Sequence, residues 1–164
     1  MFTADLTARA AALIERCRRN GLLLATAESC TGGLIAGLIT SVSGSSDVLD
    51  CGFVTYSNSA KTLMIGVPPE LITRVGAVSE DVARAMAVGA MAHSMADVAV
   101  AVTGIAGPGG GTAAKPVGLV HCAAARVGKP TRTRELRLGD IGRDEVRLET
   151  VRVAIEMAYE IAGP

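Results

Sequence analysis

Apolar residues recur along the chain with two spacings, one typical of amphipathic helices and one typical of buried strands. The helical spacing predicts helices over residues 5–19, 34–42, 59–65, 80–95 and 143–161, with Ser79 as N-cap of the fourth. Short apolar runs predict strands over residues 22–27, 48–56, 97–102, 118–127 and 131–138, the last two joined by a hairpin turn at 128–130. Residues 66–69 predict a loop that ends the third helix. Because strands alternate with helices before the late β-hairpin, the pattern predicts a three-layer α/β/α fold with a mixed, mostly parallel sheet.

Length and composition limit the kind of protein that such a fold serves. A chain of 164 residues suits one domain, so residues 1–164 are expected to form a single unit. Sixteen basic residues balance sixteen acidic ones, and the aromatic residues are Phe2, Phe53, Tyr56 and Tyr159. A chain without net charge and with so few stacking side chains is not expected to bind nucleic acid. Charge-free stretches such as 31–46 fall short of a bilayer's thickness, so no membrane contact is expected.

The cysteines and histidines indicate a reduced protein without a metal. Four cysteines are scattered without a CxxC pair, and residues after Met1 do not resemble a secretory signal, so the sequence predicts a cytoplasmic location. We expect neither a metal nor another cofactor, since the spacing of a zinc site is missing. His93 and His121 lie in apolar runs that indicate packing roles. Homo-oligomerisation is left open by the sequence.

The turn at residues 28–33, Glu-Ser-Cys-Thr-Gly-Gly, joins a predicted buried strand to a predicted helix. This geometry exposes a side chain and directs free backbone N–H groups toward one point. Ser29 and Cys30 are therefore candidate nucleophiles. The alternative interpretation is that Ser29 or Thr31 only caps the helix and that the glycines permit close packing.

A second polar segment, residues 56–61 (Tyr-Ser-Asn-Ser-Ala-Lys), follows the next strand. In a parallel sheet, Tyr56 and Lys61 would lie at the same edge as Ser29. The chain has thirteen arginines and three lysines, so Lys61 stands out as a cation that is able to lose its proton. The alternative is an exposed helical lysine beside a core tyrosine.

A glycine-rich loop, residues 103–112, follows the predicted strand 97–102. Its consecutive N–H groups suit an anion. The loop has neither a Walker pattern nor a dinucleotide-binding pattern, so a plain surface loop is the alternative interpretation.

Two arginines, Arg143 and Arg147, are spaced to share one face of the last predicted helix. They are candidates to bind a phosphate or a carboxylate. The alternative is a solvated face on which they pair with Asp144 or Glu149.

Six short segments of the chain match motifs of one known protein family. They are residues 26–33 (TAESCTGG), 56–61 (YSNSAK), 76–80 (GAVSE), 103–111 (TGIAGPGGG), 115–118 (KPVG) and 142–147 (GRDEVR). In this order and spacing they resemble the CinA C-terminal domain family over nearly the whole chain. Together they are far more specific than any one of them.

The resemblance implies an activity. Characterised members are nicotinamide-nucleotide amidohydrolases, which convert nicotinamide mononucleotide and water to nicotinate mononucleotide and ammonia. It implies that Ser29 is the nucleophile, that Lys61 is the general base and that Tyr56 belongs to the proton network. With the turn and the loop included, the expected substrate-binding residues are Glu28, Cys30, Thr31, Gly32, Thr103, Gly104, Gly107, Gly109, Gly110, Arg143 and Arg147. Residues 139–143 depart from the family pattern, so either Arg143 or Arg147 is expected to meet the phosphate.

The chemistry of a serine amidase agrees with these assignments. A serine hydroxyl needs a base at neutral pH, and in the absence of a histidine partner a neutral lysine is the natural candidate. Burial would lower the pKa of Lys61, and the N–H groups of Cys30 or Thr31 would meet the oxyanion. Two alternatives stay open. One is a Cys30-dependent hydrolase of another small amide, because a helix N-terminus lowers a thiol pKa, and the other is a non-catalytic nucleotide-binding or regulatory domain.

Overall fold

The computed structural model describes residues 2–163, which form six α-helices and five strands. In chain order these are α1 (Ala4–Arg19), β1 (Leu24–Glu28), α2 (Leu34–Thr40), β2 (Leu49–Val54), α3 (Asn58–Ile65), α4 (Pro69–Val75), α5 (Glu80–Ala92), β3 (Val98–Gly104), β4 (Leu119–Arg126), β5 (Lys129–Arg137) and α6 (Arg143–Ile161). Every predicted helix and strand is present. The bounds differ from the expected ones by a few residues.

The five strands form one mixed sheet in the order β2-β1-β3-β4-β5. β1 is central to a parallel group, in which Ala27 pairs with Phe53 of β2 and with Ala101 of β3. β4 runs antiparallel to both β3 and β5, so the predicted late hairpin is confirmed. The chain passes from β1 to β2, which lies beside it in one direction along the sheet, and then to β3, which lies beside it in the other direction. The carboxyl end of β1 is therefore the point at which ligands bind in open α/β sheets.

The two faces of the sheet have different cores. One face carries leucine and valine side chains such as Leu24, Val100 and Val120, which pack with residues of α1, α2 and α6. The other carries alanines, among them Ala25, Ala99, Ala101, Ala123 and Ala125, which lie under α5. Small side chains on this face let the helix approach the strands closely. With helices on both faces, the predicted three-layer α/β/α arrangement is confirmed.

Three local expectations are corrected. Pro69 does not continue a loop but occupies the first turn of α4, where its missing N–H leaves no helical bond unmade. Lys129 begins β5 instead of belonging to the hairpin turn. His121 is buried as expected, whereas His93 is exposed and its ring Nδ1 lies 2.9 Å from the Gly89 carbonyl oxygen at the end of α5.

Candidate active site

The carboxyl ends of β1, β2 and β3 meet at a cavity of about 290 Å³. β1 leads into the turn that holds Ser29, β2 leads into the segment that holds Tyr56, and β3 ends at Thr103 and Gly104. The lining residues are Ser29, Cys30, Tyr56, Asn58, Lys61, Ala77, Val78, residues 103–107, Gly109, Gly110 and Arg143. The three segments that were predicted separately thus share one cavity.

Ser29 and Lys61 are in direct contact in this cavity. Lys61 Nζ lies 3.1 Å from Ser29 Oγ, and the two residues are only 1% and 8% exposed. The Ser29 backbone N–H donates to the Val102 carbonyl oxygen at 3.1 Å, which ties the turn to β3. Lys61 lies in the first turn of α3, whose N-cap Ser57 accepts a hydrogen bond from the Ala60 N–H at 3.0 Å. The position of Ser29 is therefore fixed by a backbone hydrogen bond to β3, and that of Lys61 by a capped helix.

The environment of Lys61 favours the neutral amine. Burial lowers the pKa of Lys61, and no carboxylate among residues 2–163 forms an ion pair with it. Its Nζ also lies 2.9 Å from the Thr55 carbonyl oxygen and 3.5 Å from that of Tyr56. A neutral amine has two N–H donors and one lone pair. When the two carbonyls accept the two N–H groups, the lone pair is left for the Ser29 hydroxyl proton.

Glu28 lies next to Ser29 but points away from the cavity. It is 1% exposed, and its carboxylate accepts the backbone N–H groups at the start of α2. The helix has no other side-chain cap, since its N-cap is Gly33. The structure thus assigns the carboxylate a capping contact rather than contact with a substrate in the cavity.

Cys30 lines the cavity but is held as a thiol. Burial raises the pKa of Cys30 to about 11, and the negative charge of Glu28 also raises it. The expectation that a helix N-terminus lowers this pKa is wrong here: burial is the main cause of the raised pKa, and the Glu28 carboxylate at the start of α2 adds to it. The raised pKa favours the thiol form of Cys30 at neutral pH.

Tyr56 and Arg143 stand at the rim. The Tyr56 side chain is 63% exposed, and its hydroxyl accepts from Arg143 Nη2 at 3.4 Å. Arg143 is the first residue of α6, and its Nη1 donates to the Gly107 carbonyl oxygen at 2.7 Å. The carbonyl of Tyr56, not its phenol, is the group that contacts Lys61.

The glycine-rich loop covers one side of the cavity. Gly107 and Gly110 adopt positive φ angles of 80° and 86°, which side-chain-bearing residues rarely adopt. The N–H groups of Ala106, Gly107, Gly109 and Gly110 have no acceptor within residues 2–163. They are free to bind an anion. The Thr103 hydroxyl is used internally, since it donates to the Ala77 carbonyl oxygen at 2.9 Å.

Four expected substrate-binding residues lie behind the cavity wall: Glu28, Thr31, Gly32 and Arg147. Arg147 Nη2 donates to the Thr31 carbonyl oxygen at 3.1 Å. One helical turn along α6 therefore separates an arginine at the cavity from one that contacts the back of the Ser29 turn. Of these two arginines, Arg143 is the one that a ligand in the cavity would meet.

Five lining residues are not among the expected site residues: Asn58, Ala77, Val78, Ile105 and Ala106. All five lie in segments of the family pattern, 56–61, 76–80 and 103–111. The pattern was the signal that could have found them. Their side chains carry no charge, so composition alone did not mark them.

Two features are absent from residues 2–163. No group of three or more His, Cys, Asp or Glu side chains is placed to hold a metal ion. No helix in that range has the length and apolar character needed to cross a bilayer.

Comparison with known proteins gives consistent results. A CinA-like protein of Myxococcus xanthus is 47% identical over the whole chain, and one of Akkermansia muciniphila is 58% identical over 74% of it. The chain spans only 39% and 30% of the length of these two relatives. The crystal structure of the competence/damage inducible protein CihA from Agrobacterium tumefaciens is 53% identical, covers 98% of each chain and superposes with a TM-score of 0.96. A CinA superfamily structure from Escherichia coli, at 32% identity, has a TM-score of 0.90, with 98% of this chain and 94% of that one covered.

The family model adds the extent of the match. The model of the CinA C-terminal domain matches residues 6–162, which include the cavity and all of its lining residues. The fold agrees with that match, since it is shared with the structure from Agrobacterium tumefaciens. This chain belongs to the CinA C-terminal domain family.

Proposed function

We propose that this chain hydrolyses the carboxamide of nicotinamide mononucleotide, with Ser29 as the nucleophile and Lys61 as the general base. The observation that carries the proposal is the buried contact of 3.1 Å between Lys61 Nζ and Ser29 Oγ. A neutral amine at this distance is within reach of the hydroxyl proton. The resemblance to amidohydrolases of the family supports the choice of substrate.

In the first half-reaction, Ser29 Oγ attacks the carboxamide carbon while its proton passes to Lys61 Nζ. The carbonyl electrons move onto oxygen, and the backbone N–H group of Cys30, which lines the cavity, is the expected donor to this oxyanion. This N–H has no oxygen acceptor among residues 2–163. When the intermediate collapses, the carbon–nitrogen bond breaks and Lys61 gives its proton to nitrogen. Ammonia leaves, and an ester on Ser29 remains.

In the second half-reaction, water attacks the ester carbon and Lys61 accepts a proton from it. The bond between carbon and Ser29 Oγ then breaks, and Lys61 returns the proton to Oγ. The product is nicotinate mononucleotide, and both residues are regenerated. One lysine therefore acts as base and then as acid in each half-reaction.

The phosphate of the nucleotide is assigned to the rim of the cavity. In a chain of zero net charge, only a local site holds a dianion. Arg143 and the free N–H groups of the glycine-rich loop supply cationic and dipolar donors on one side of Ser29. Binding the remote phosphate would position the amide against Oγ and so favour the transition state.

An assay of ammonia release from nicotinamide mononucleotide tests the proposal. We expect turnover by the wild type, and none by Ser29→Ala or by Lys61→Arg, because a guanidinium does not accept the serine proton. Cys30→Ala is the matched control, one residue along the same turn, and should retain most of the activity. Circular dichroism would verify that each variant is folded.

Other results would contradict the proposal. Activity in Ser29→Ala together with its loss in Cys30→Ala would favour a thiol hydrolase. Tight binding of the nucleotide without ammonia release would favour a non-catalytic binding or regulatory domain.

Two coarser expectations are proposed with this function. We propose that residues 1–164 act as one domain and that the protein is cytoplasmic. All four cysteines are free, which supports a reducing environment.

A further inference from the structure

We propose, on the basis of the serine mechanism above, that Glu28 is a positioning residue that holds the turn of residues 29–33 so that Ser29 Oγ faces Lys61. Residues 29–33 are called the nucleophile turn below. The sequence suggested contact between Glu28 and the substrate. The contacts of its carboxylate indicate another task.

Successive side chains of an extended strand point to opposite faces, and the end of β1 shows this alternation. Ala25 and Ala27 lie in the core under α5, and Ser29 contacts Lys61 of α3, which packs against α5, whereas Leu24 and Cys30 belong to the opposite core. Glu28 follows the second set. Its side chain therefore passes under the nucleophile turn while Ser29 faces the cavity.

The Glu28 carboxylate accepts hydrogen bonds from five donors in and around this turn. Oε2 accepts from the Thr31 hydroxyl at 2.7 Å and from the Gly33 and Ile35 N–H groups at 3.0 Å each. Oε1 accepts from the Ala36 N–H at 2.9 Å and from the Thr26 hydroxyl at 3.3 Å. One buried side chain thus joins β1, the nucleophile turn and the first turn of α2.

Other hydrogen bonds tie the turn at Ser29, to Val102, and at Thr31, to Arg147, but its two glycines leave the shape between and beyond them open. Gly32 and Gly33 have φ angles of 60° and 99°, and glycine permits many other backbone conformations. The Gly32 N–H donates to the Ser29 carbonyl oxygen at 3.1 Å, so a change in the glycines would move Ser29 directly. The carboxylate is the group that selects one conformation.

The charge of Glu28 is required as well as its shape. Three of the five partners are backbone N–H groups, which only donate, and an ionised carboxylate has only acceptors. A glutamine of the same size would direct its own N–H groups at one or two of these backbone donors, which leaves bonds unmade. Loss of the negative charge would also remove one cause of the high pKa of Cys30.

Covalent labelling of the variant Glu28→Gln by a biotinylated fluorophosphonate measures the reactivity of Ser29 without the nucleotide substrate. Ser29 Oγ bonds to phosphorus, fluoride leaves, and Lys61 takes the hydroxyl proton. We expect the rate constant for labelling to fall about tenfold or more, because displacement of a reacting group by a fraction of an ångström is costly. Ser29→Ala defines zero labelling. Thr3→Ala is the matched control, since it removes the side-chain cap of α1 away from the cavity and should leave labelling unchanged.

Two further measurements distinguish a positioning role of Glu28 from a general loss of fold stability. With nicotinamide mononucleotide, kcat should fall in Glu28→Gln while KM stays near the wild-type value, since the side-chain hydrogen bonds of Arg143 go to Gly107 and Tyr56 and those of Glu28 go to residues 26–36. Peptide mapping after iodoacetamide treatment should show that Cys30 is modified at lower pH than in the wild type. Thermal unfolding would set the assay temperature below the transition of each variant.

Several results would overturn the inference. Labelling of Glu28→Gln at the wild-type rate would do so, as would an equal loss in Thr3→Ala or absence of labelling in the wild type. If Glu28→Gln does not fold, Thr31→Val removes a single donor and should give a smaller decrease in labelling, and an unchanged rate would again overturn the inference. Wild-type labelling without ammonia release would refute only the proposed substrate.

Discussion

Replacing Lys61 by methionine would separate what this residue does for the reaction from what it does for the fold. Methionine has a similar length and no charge, so the buried volume is nearly retained. The substitution removes the three contacts of Nζ, with Ser29 Oγ and with the carbonyl oxygens of Thr55 and Tyr56. Loss of the general base should lower the rate of deamidation by about a hundredfold to ten-thousandfold.

The stability of the fold should respond differently, and its response should depend on pH. The pKa of Lys61 is lowered by burial in the folded state, whereas in the unfolded chain it has its ordinary value near 10.4. Between these two values the unfolded state binds more protons than the folded state, so wild-type stability rises with pH. Each unit by which the pKa is lowered corresponds to about 1.4 kcal/mol of this rise. Lys61→Met has no such contribution.

The magnitude at neutral pH follows from two opposing effects. Burial of an ammonium costs several kcal/mol, and its hydrogen bonds to carbonyls return about 1.5–3 kcal/mol each. Because the pKa of Lys61 is lowered, the cost of burial exceeds the gain from these bonds. We therefore expect the stability of the wild type relative to Lys61→Met, measured as the difference in their free energies of unfolding, to be lowest near pH 7 and highest near pH 10.

Urea unfolding of both proteins at pH 7 and pH 10 measures this difference. Titration of the other groups affects both proteins alike, so it cancels in the comparison. A difference in the free energy of unfolding that is the same at both pH values would refute the reasoning. So would a wild type whose advantage over the variant is larger at pH 7 than at pH 10, since that result means that the fold stabilises the ammonium.

Three further outcomes are expected. Arg143→Ala should raise KM for the mononucleotide but not for its dephosphorylated riboside, and equal effects in ammonia-release assays would argue against phosphate binding at the rim. kcat/KM should increase as the pH rises through the lowered pKa of Lys61, so a pH–rate profile that shows no such rise at any pH below 10 would contradict its role as base. Gly89→Ala should destabilise the fold by about 1–3 kcal/mol in urea unfolding, because its Cβ would lie 2.0 Å from the Ile65 carbonyl oxygen. The matched helical control, Gly37→Ala, has room for a Cβ and should be neutral or stabilising.

The elements and the cavity could be predicted because their signals are local. Strand runs, caps and the placement of Ser29, Lys61 and Thr103 after successive strands were enough to bring these residues to one edge. α4 was missed because Pro68 and Pro69 are typical both of a loop and of a helix start, and only the following contacts decide between them.

The direction of individual side chains could not be predicted in the same way. Arg143 and Arg147 share a helix face, yet one contacts Gly107 at the cavity and the other contacts Thr31 behind it, because the nucleophile turn lies beside the second. The Glu28 carboxylate was likewise assigned to the substrate, since its partners at the start of α2 are known only once the strand and the helix are packed. Such contacts depend on how the helices and strands pack, and the spacing of residues along the chain does not determine that packing.

The alanine-lined face of the sheet makes the catalytic pair sensitive to distant changes in volume. α5 rests on alanines of β1, β3 and β4, and at Gly89 it touches the backbone of α3 at Ile65, one turn beyond Lys61. We expect an added methyl group under α5 to displace this helix, and with it α3, relative to β1 and Ser29. Enlarging a residue of the alanine layer should therefore widen the gap between base and nucleophile and impair turnover in variants that still fold.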